Sequence, residues 1–181
     1  MDAVGYLPSP IGWIRFVINE KRQLVRIDLN VPPPLEVQNA SLFKDIFEQF
    51  ETYFVGELKA FELPFCLNGS TFEMRVLEVL LQIPYGETRS YGEIAAVCGN
   101  PKAARAVGQA VHRNPLPIVV PCHRVVGALN LGGYAGGLSI KRFLLRLEGS
   151  LWGRSLKKGD NNGAGRGLVK VFLGDNSGGW A

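Results

Sequence analysis

The chain is poor in the residues that build metal centres and disulfide frameworks. Its 181 residues include three cysteines and two histidines. An odd number of cysteines without paired spacing argues against a disulfide scaffold and favours a reducing compartment. There is no Cys-x-x-Cys pair and no histidine cluster, so we predict no metal and expect no cofactor.

Long hydrophobic runs are also absent. None approaches the roughly 18 residues that are needed to cross a bilayer. The N-terminus lacks a basic stretch followed by an apolar core, so we expect no secretory signal. The hydrophobic content of 46% and charged content of 20% are ordinary for a globular protein. We expect a monomer without membrane contact, in the cytoplasm or, in a eukaryote, the nucleus.

Charge is distributed unevenly along the chain. Residues 1–70 carry six basic and nine acidic side chains, a net charge of −3. Residues 87–147 carry eight basic and two acidic side chains, a net charge of +6. The second segment either meets a polyanion or simply has a solvated basic surface, and charge alone leaves both open.

The first part of the chain, residues 1–68, reads as a small α+β unit. Alternating hydrophobicity predicts strands over residues 11–18 and 23–29, joined by a hairpin turn. Ser41 is the expected N-cap of a helix through Phe54, and a third strand is expected over 61–67. No chemistry is recognisable here.

Residues 69–150 read as a mostly helical unit, with helices expected over 71–81, 91–97, 102–113 and 138–147. The middle two helices are joined by a tight Gly-Asn-Pro turn, which is a helix-turn-helix pattern. The second of them carries small residues, which allow close approach of a backbone, and one long cation in its first half, Arg105. Plain helix packing explains small residues equally well, so this pattern alone is a weak sign of DNA binding.

Glycine is concentrated in two places. Gly127–Gly137 lacks the GxGxxG spacing of a phosphate-binding loop, and a flexible cap over a pocket fits it better. Residues 151–181 form a glycine-rich tail around an apolar stretch, 168–173. The tail is compatible with disorder, an added strand or an oligomer contact, and its role is unknown.

The most informative stretch is Pro121-Cys122-His123-Arg124, which lies inside an apolar run. A thiol reacts as its thiolate, and a neighbouring imidazole and guanidinium favour that form. The alternative is a small core cysteine, because free cysteines are among the most buried residues.

Taken together, these segments resemble the O6-alkylguanine-DNA alkyltransferases over residues 70–150. The resemblance is carried by ordered motifs: Ser90-Tyr91-Gly92-Glu93, residues 99–108 (Gly-Asn-Pro-Lys-Ala-Ala-Arg-Ala-Val-Gly), Asn114-Pro115, residues 121–127 (Pro-Cys-His-Arg-Val-Val-Gly), residues 132–137 (Gly-Gly-Tyr-Ala-Gly-Gly) and Leu147-Glu148-Gly149. It implies a ribonuclease H-like N-terminal unit, a winged-helix-like DNA-binding unit, and irreversible transfer of an alkyl group from O6-alkylguanine in double-stranded DNA to Cys122. O4-alkylthymine is a second candidate substrate.

The resemblance implies five catalytic positions. Cys122 is the acceptor, His123 the base acting through a water, and Glu148 the carboxylate that orients it. Tyr91 matches the tyrosine that protonates the leaving guanine, and Asn114 matches a residue that shapes the active-site turn. The alternatives are a surface acid for Glu148 and a helix stop for Asn114.

Contacts with DNA and substrate are implied for a second set of residues. Arg105 matches the finger that fills the gap left by a flipped base. Tyr134 matches the aromatic residue that packs over that base, with a core tyrosine as the alternative. Lys141 matches a lysine at the pocket rim, with a solvated helix charge as the alternative. The remaining positions match backbone contacts to guanine or the close-packed DNA face: Val125, Ala135, Ser90, Ala103, Ala104 and Gly108.

Three departures from the family pattern stand out: the short loop from Val126 to Tyr134, the charge order at His112-Arg113, and the tail. Three rivals remain. These are a non-catalytic lesion sensor, a helix-turn-helix regulator with a redox thiol, and a cysteine hydrolase.

Overall fold

A computed structural model describes residues 1–35 and 40–153. The first unit is an antiparallel sheet in the order β1-β2-β3 with one helix, α1. The elements are β1 (Ala3–Ser9), β2 (Gly12–Ile18), β3 (Leu24–Val31) and α1 (Lys44–Phe54). Phe50 of α1 meets Phe16 of β2 edge-on, with ring centroids 4.8 Å apart. The helix therefore covers one face of the sheet with aromatic side chains.

The second unit is mostly helical. Its elements are α2 (Thr71–Leu81), β4 (Arg89–Ser90), α3 (Tyr91–Val97), α4 (Ala104–His112), β5 (Val125–Val126) and α5 (Leu138–Leu147). Ser70 and Ser90 begin α2 and α3 with capping boxes, each closed by a glutamate three residues later. All four helices expected in this unit are present. The short strands β4 and β5 pair in parallel and bring Ser90 beside Val126.

The sequence-based prediction was wrong in three places in the first unit. Strand β1 was not expected, although it pairs along its whole length with β2. The expected strand over 61–67 is reduced to a single bridge between Leu24 and Phe65. Pro64 has no N–H to donate to a ladder, which limits the pairing. Ser41 does not cap α1, which begins at Lys44 after a 3-10 turn, Ala40–Phe43.

One continuous hydrophobic core runs through both units. The edge strand β3 contacts the second unit directly, because Ile27 donates its N–H to the carbonyl of Pro115 at 2.9 Å. None of the helices in residues 1–35 and 40–153 is long and apolar enough to cross a bilayer. The boundaries 1–68, 69–150 and 151–181 stay a prediction, and residues 154–181, including the apolar stretch 168–173, lie outside the described residues.

Candidate active site

A tight turn after α4 presents Cys122. Asn114 closes this turn, because its Nδ2 donates to the carbonyl of Val120 at 2.8 Å and its Oδ1 accepts from the N–H of Leu116 at 3.0 Å. Ile118, inside the turn, has a φ of +77°, which is strained for a β-branched residue. The turn is thus held in an unusual conformation directly before the cysteine.

Cys122 begins a 3-10 turn, Cys122–Arg124, and is 4% exposed. Burial raises the pKa of its thiol, while the amide of Asn114, the charge of Lys141 and the hydroxyl of Tyr134 favour the thiolate and partly offset that rise. The resting cysteine is therefore a protonated thiol, and its reaction requires a base.

His123 is fully buried and lies against Glu148, with Nε2 2.7 Å from Oε1. Burial lowers the pKa of His123, and the positive charges of Arg124 and Lys141 act in the same direction, against the attraction of Glu148. We therefore assign a neutral imidazole whose Nε2–H donates to the carboxylate. Within the described residues Nδ1 is buried without a hydrogen-bond partner, so it is left as an acceptor.

Glu148 is saturated with donors. Arg124 binds it in a bidentate manner, through Nε to Oε2 at 2.8 Å and Nη2 to Oε1 at 2.9 Å. Tyr53 donates its hydroxyl to Oε1 at 2.7 Å, and the N–H of Gly86 lies 3.4 Å from Oε2. Burial opposes ionisation, but His123 and Arg124 outweigh it and hold the pKa of Glu148 well below its usual range. Glu148 is thus a buried, paired carboxylate, which excludes a surface acid.

Tyr91, at the start of α3, lies between the glycine-rich loop and α4. A Cβ on Gly132 would come within 2.8 Å of its hydroxyl, and a Cβ on Gly108 within 3.9 Å of its ring. Burial raises the pKa of Tyr91, the N–H of Gly133 lowers it, and the charge of an ionised Cys122 raises it. The hydroxyl is therefore protonated and electrostatically coupled to the thiol.

Lys141 and Tyr134 lie beside the thiol; Lys141 is in the interior, and Tyr134 is half-buried with a buried hydroxyl. Lys141 is fully buried, and its Nζ donates to the carbonyls of Val125 and Gly133 at 2.5 and 3.0 Å, so it is neither a rim residue nor a solvated charge. Burial lowers the pKa of Lys141 to about 8. The buried hydroxyl of Tyr134 has no partner with full hydrogen-bond geometry in the described part of the chain, although it is close enough to Cys122 for each group to shift the pKa of the other.

The remaining candidates lie outside this cluster. Arg105 is exposed near the start of α4, with Ala103 and Ala104 half-buried beside it, and Ala135 is exposed in the glycine-rich loop. Ser90 caps α3. The carbonyl of Val125 already accepts from Lys141, so guanine could use only its second lone pair. Arg113, just after α4, is paired with Glu73 at 2.6 Å.

Comparisons with known proteins match both units. Residues 3–67 match the 6-O-methylguanine DNA methyltransferase, ribonuclease-like domain, and residues 71–150 match the DNA binding domain of the same family. A methylated-DNA–protein-cysteine methyltransferase of Methanosarcina acetivorans is 56% identical over 65% of this chain and 76% of its own length. The chain belongs to the 6-O-methylguanine DNA methyltransferase family.

Solved structures of this family share the fold. The O6-methylguanine methyltransferase of Mycobacterium tuberculosis superposes with a TM-score of 0.71 at 42% identity, over 82% of this chain and 93% of that one. A structure of the M. tuberculosis protein in complex with DNA gives the same TM-score at 43% identity, over 80% of this chain and 91% of that one. The expected fold, a ribonuclease-like unit followed by a helical DNA-binding unit, is confirmed.

Sequence reasoning missed two residues of the Glu148 cluster. Arg124 was noticed only as a neighbour of the thiol, whereas it also binds Glu148 and donates to the carbonyl of Ile83 at 2.6 Å. Its place in the motif was the available signal. Tyr53 carried no signal, because it lies 95 positions from Glu148 in a helix with an ordinary apolar face.

Proposed function

We propose that this protein repairs O6-alkylguanine in double-stranded DNA by moving the alkyl group to Sγ of Cys122, once per molecule. The observation that carries the proposal is the buried Cys122 thiol directly before the His123–Glu148 pair. The family and its DNA-bound relative support it. The expected location is the cytoplasm, or the nucleus in a eukaryote.

The reaction exchanges one bond for another. The thiolate attacks the alkyl carbon, the C–S bond forms, and the C–O6 bond breaks with its electron pair passing to guanine. The thiol proton is passed on, and a proton arrives on guanine, so the products are an S-alkylcysteine and an unmodified guanine. A thioether has no evident leaving route, so the protein is consumed.

The buried groups supply the proton path. Nδ1 of His123 is the free acceptor, so it takes the thiol proton through a water, while Glu148 holds the ring in that tautomer and stabilises the imidazolium. Tyr91 is the acid for guanine, which leaves more easily as a neutral molecule than as an anion. Asn114 fixes the turn and favours the thiolate.

The surface of α4 delivers the substrate. Its small residues allow a close approach to the minor groove, and the exposed Arg105 fills the space of the flipped base, at a cost of a few kcal/mol for unstacking. The base then lies beside Tyr134 and contacts backbone groups. This set comprises Ala103, Ala104, Gly108 and Ser90 on the DNA side and Val125, Ala135 and Lys141 around the base.

The direct test is covalent mass. The protein is incubated with duplex DNA carrying O6-methylguanine, and the intact mass and peptide map are recorded. We expect one added methylene on Cys122, a yield capped at one per protein, and none in Cys122→Ser. Multiple turnovers, repair with unmodified Cys122, or binding without transfer would contradict the proposal and favour a hydrolase or a lesion sensor. A duplex carrying O4-methylthymine tests the second substrate.

A second experiment isolates base flipping. Arg105→Ala should slow transfer from duplex DNA about tenfold or more, since a finger that replaces the base contributes a stacking-sized interaction. Transfer from the free base O6-benzylguanine should be unchanged. Equal losses on the two substrates would remove the flipping role from Arg105, and Lys102→Ala serves as the matched control for lost charge.

A further inference from the structure

One side chain of the N-terminal unit, Tyr53, contacts the His123–Glu148 pair directly. Tyr53 of α1 is 1% exposed, and its hydroxyl donates to Oε1 of Glu148 at 2.7 Å. Its ring is fixed on three sides by Phe54, Phe61 and Tyr85, with centroids 5.5, 5.3 and 6.3 Å away. A buried hydroxyl held this firmly has little freedom to choose another partner.

Tyr53 binds the carboxylate oxygen that His123 uses. Oε1 lies 2.7 Å from Nε2 of His123, 2.7 Å from the Tyr53 hydroxyl and 2.9 Å from Nη2 of Arg124. Oε2, in contrast, faces Nε of Arg124 at 2.8 Å and the N–H of Gly86 at 3.4 Å. The hydroxyl therefore influences both the direction of Oε1 and the negative charge that it presents to the imidazole.

We propose that Tyr53 is a positioning residue for alkyl transfer, which holds Oε1 of Glu148 against His123 and limits how strongly the carboxylate attracts a proton to that ring. This inference rests on the proposed function, and it assigns the N-terminal unit a part in the chemistry. A less basic carboxylate leaves His123 neutral, and the neutral ring is the form that accepts the thiol proton.

Two other contacts show that the N-terminal unit borders the site on several sides. Ile27 of β3 donates to the carbonyl of Pro115 at 2.9 Å, in the turn that leads to Cys122. Leu29 of the same strand packs so close to the glycine-rich loop that a Cβ on Gly136 would lie 3.3 Å from it. Among these three contacts, Tyr53 alone touches the His123–Glu148 pair.

Replacement of Tyr53 by phenylalanine isolates the hydroxyl. The other titratable or charged groups that the described residues place around the pair are retained: Arg124 from the 3-10 turn, Lys141 from α5, Tyr85 from the connection after α2, Tyr134 from the glycine-rich loop, and Cys122. Loss of one donor concentrates negative charge on Oε1, so protonation of His123 becomes easier. The pKa of His123 should therefore rise.

The experiment is a nitrogen-15 NMR titration of the imidazole in the full chain. His112→Gln leaves His123 as the single histidine. We expect Tyr53→Phe to raise the pKa of His123 by about one unit, since a hydrogen bond to a charged group has that magnitude. The acid limb of methyl transfer should move to higher pH by the same amount, with the plateau rate within about threefold. Tyr6→Phe, in β1, is the matched control and should move neither.

A second variant should shift the pKa of His123 in the opposite direction. Site-specific 3-fluorotyrosine at position 53 keeps the ring and strengthens the donor, so the pKa of His123 should fall. An unchanged titration in folded Tyr53→Phe, or shifts of the same sign in both variants, would overturn the inference. If Tyr53→Phe does not fold, the titration of the 3-fluorotyrosine protein tests the inference alone, and an unchanged pKa of His123 would overturn it. If the wild-type protein transfers no methyl group, the proposed function fails, while the titration still tests Tyr53.

Discussion

The aromatic cluster around α1 and the polar cluster around Glu148 are buried to a similar degree and held by different forces. In the first, Phe16, Phe43 and Phe50 are at most 1% exposed and meet each other or neighbouring rings. In the second, His123 is fully buried and Glu148 is 5% exposed, and both depend on charge-assisted hydrogen bonds. Substitutions that conserve volume cost an apolar core little stability, whereas removal of one partner of a buried ion pair leaves the other charge uncompensated and costs much more.

The contrast between the two clusters indicates which of them contributes to fold stability and which to the chemistry of Cys122. A carboxylate and a guanidinium in the core stabilise a fold weakly, because the cost of removing them from water offsets their attraction. We infer that the cluster serves the group beside it, the imidazole next to Cys122, rather than the stability of the fold. Tyr53 belongs to both clusters, with its ring among the phenylalanines and its hydroxyl on Glu148.

The largest effect is expected from Glu148→Gln. This change leaves Arg124 buried as an uncompensated cation, so the free energy of unfolding should fall by about 3–5 kcal/mol. Methyl transfer should slow by about a hundredfold or more, because His123, the proposed base, loses the carboxylate that orients it. Urea unfolding and single-turnover rates check both. Glu78→Gln, at the exposed pair with Arg75, is the control and should cost less than about 1 kcal/mol.

Phe50→Ala should give a similar loss of stability without loss of chemistry. The side chain is fully buried, with the rings of Phe16 and Phe61 each 4.8 Å away, so its truncation leaves a cavity. We expect a cost of about 3–5 kcal/mol, and a smaller one for Phe50→Leu. The transfer rate per folded molecule should stay within about twofold of wild type. A transfer rate that falls as far as in Glu148→Gln would show that the aromatic cluster also contributes to the chemistry, and would contradict this prediction.

The secondary structure of the second unit was the easier part to predict. Its helices have local start signals, and the capping boxes at Ser70 and Ser90 act within three residues. The first unit was harder, because β1 depends on its pairing with β2 and because Pro64 limits the 61–67 segment to one bridge with Leu24.

The sequence predicted which residues belong to the candidate site, but not the hydrogen bonds that join them. The motif around Cys122 named the thiol and the imidazole, and the resemblance added Glu148 and Tyr91. The bidentate contact from Arg124 and the hydroxyl of Tyr53 depend on how distant segments pack, which no spacing in the chain encodes. The interior position of Lys141 was hidden for the same reason, since a helical lysine is usually solvated.

A smaller effect, on the pH dependence of stability near neutrality, should belong to the polar cluster and not to the aromatic cluster. Burial lowers the pKa of His123, so below about pH 6.5 this side chain is protonated in the unfolded chain while it is still neutral in the folded chain. Stability should therefore fall with acidification by up to about 1.4 kcal/mol per pH unit, and Glu148, whose pKa is also depressed, adds a loss below about pH 4.3.

Urea unfolding between about pH 7.5 and 5.5 measures this slope. His123→Gln should flatten it, while Phe50→Leu should lower the whole curve and keep its slope. A slope that persists in His123→Gln would place the titrating group elsewhere, and His112→Gln, at an exposed histidine, is the control.

The smallest effects come from three glycines, two of which lie on opposite sides of Tyr91. Gly132 has a φ of +67°, and its Cβ would lie 2.8 Å from the Tyr91 hydroxyl, so Gly132→Ala should displace the acid and slow transfer about tenfold. Gly108 leaves an ordinary 3.9 Å to the same ring, so Gly108→Ala should change the rate of transfer from the free base O6-benzylguanine less than about twofold while stabilising α4 by about 0.5–1 kcal/mol. In the first unit, a Cβ on Gly5 would lie 2.6 Å from the ring of Phe43, so Gly5→Ala should cost stability and leave the chemistry intact. Single-turnover rates and thermal unfolding of the three variants separate these outcomes, and a slow Gly108→Ala would show that Tyr91 is sensitive to packing from α4 as well as from the loop.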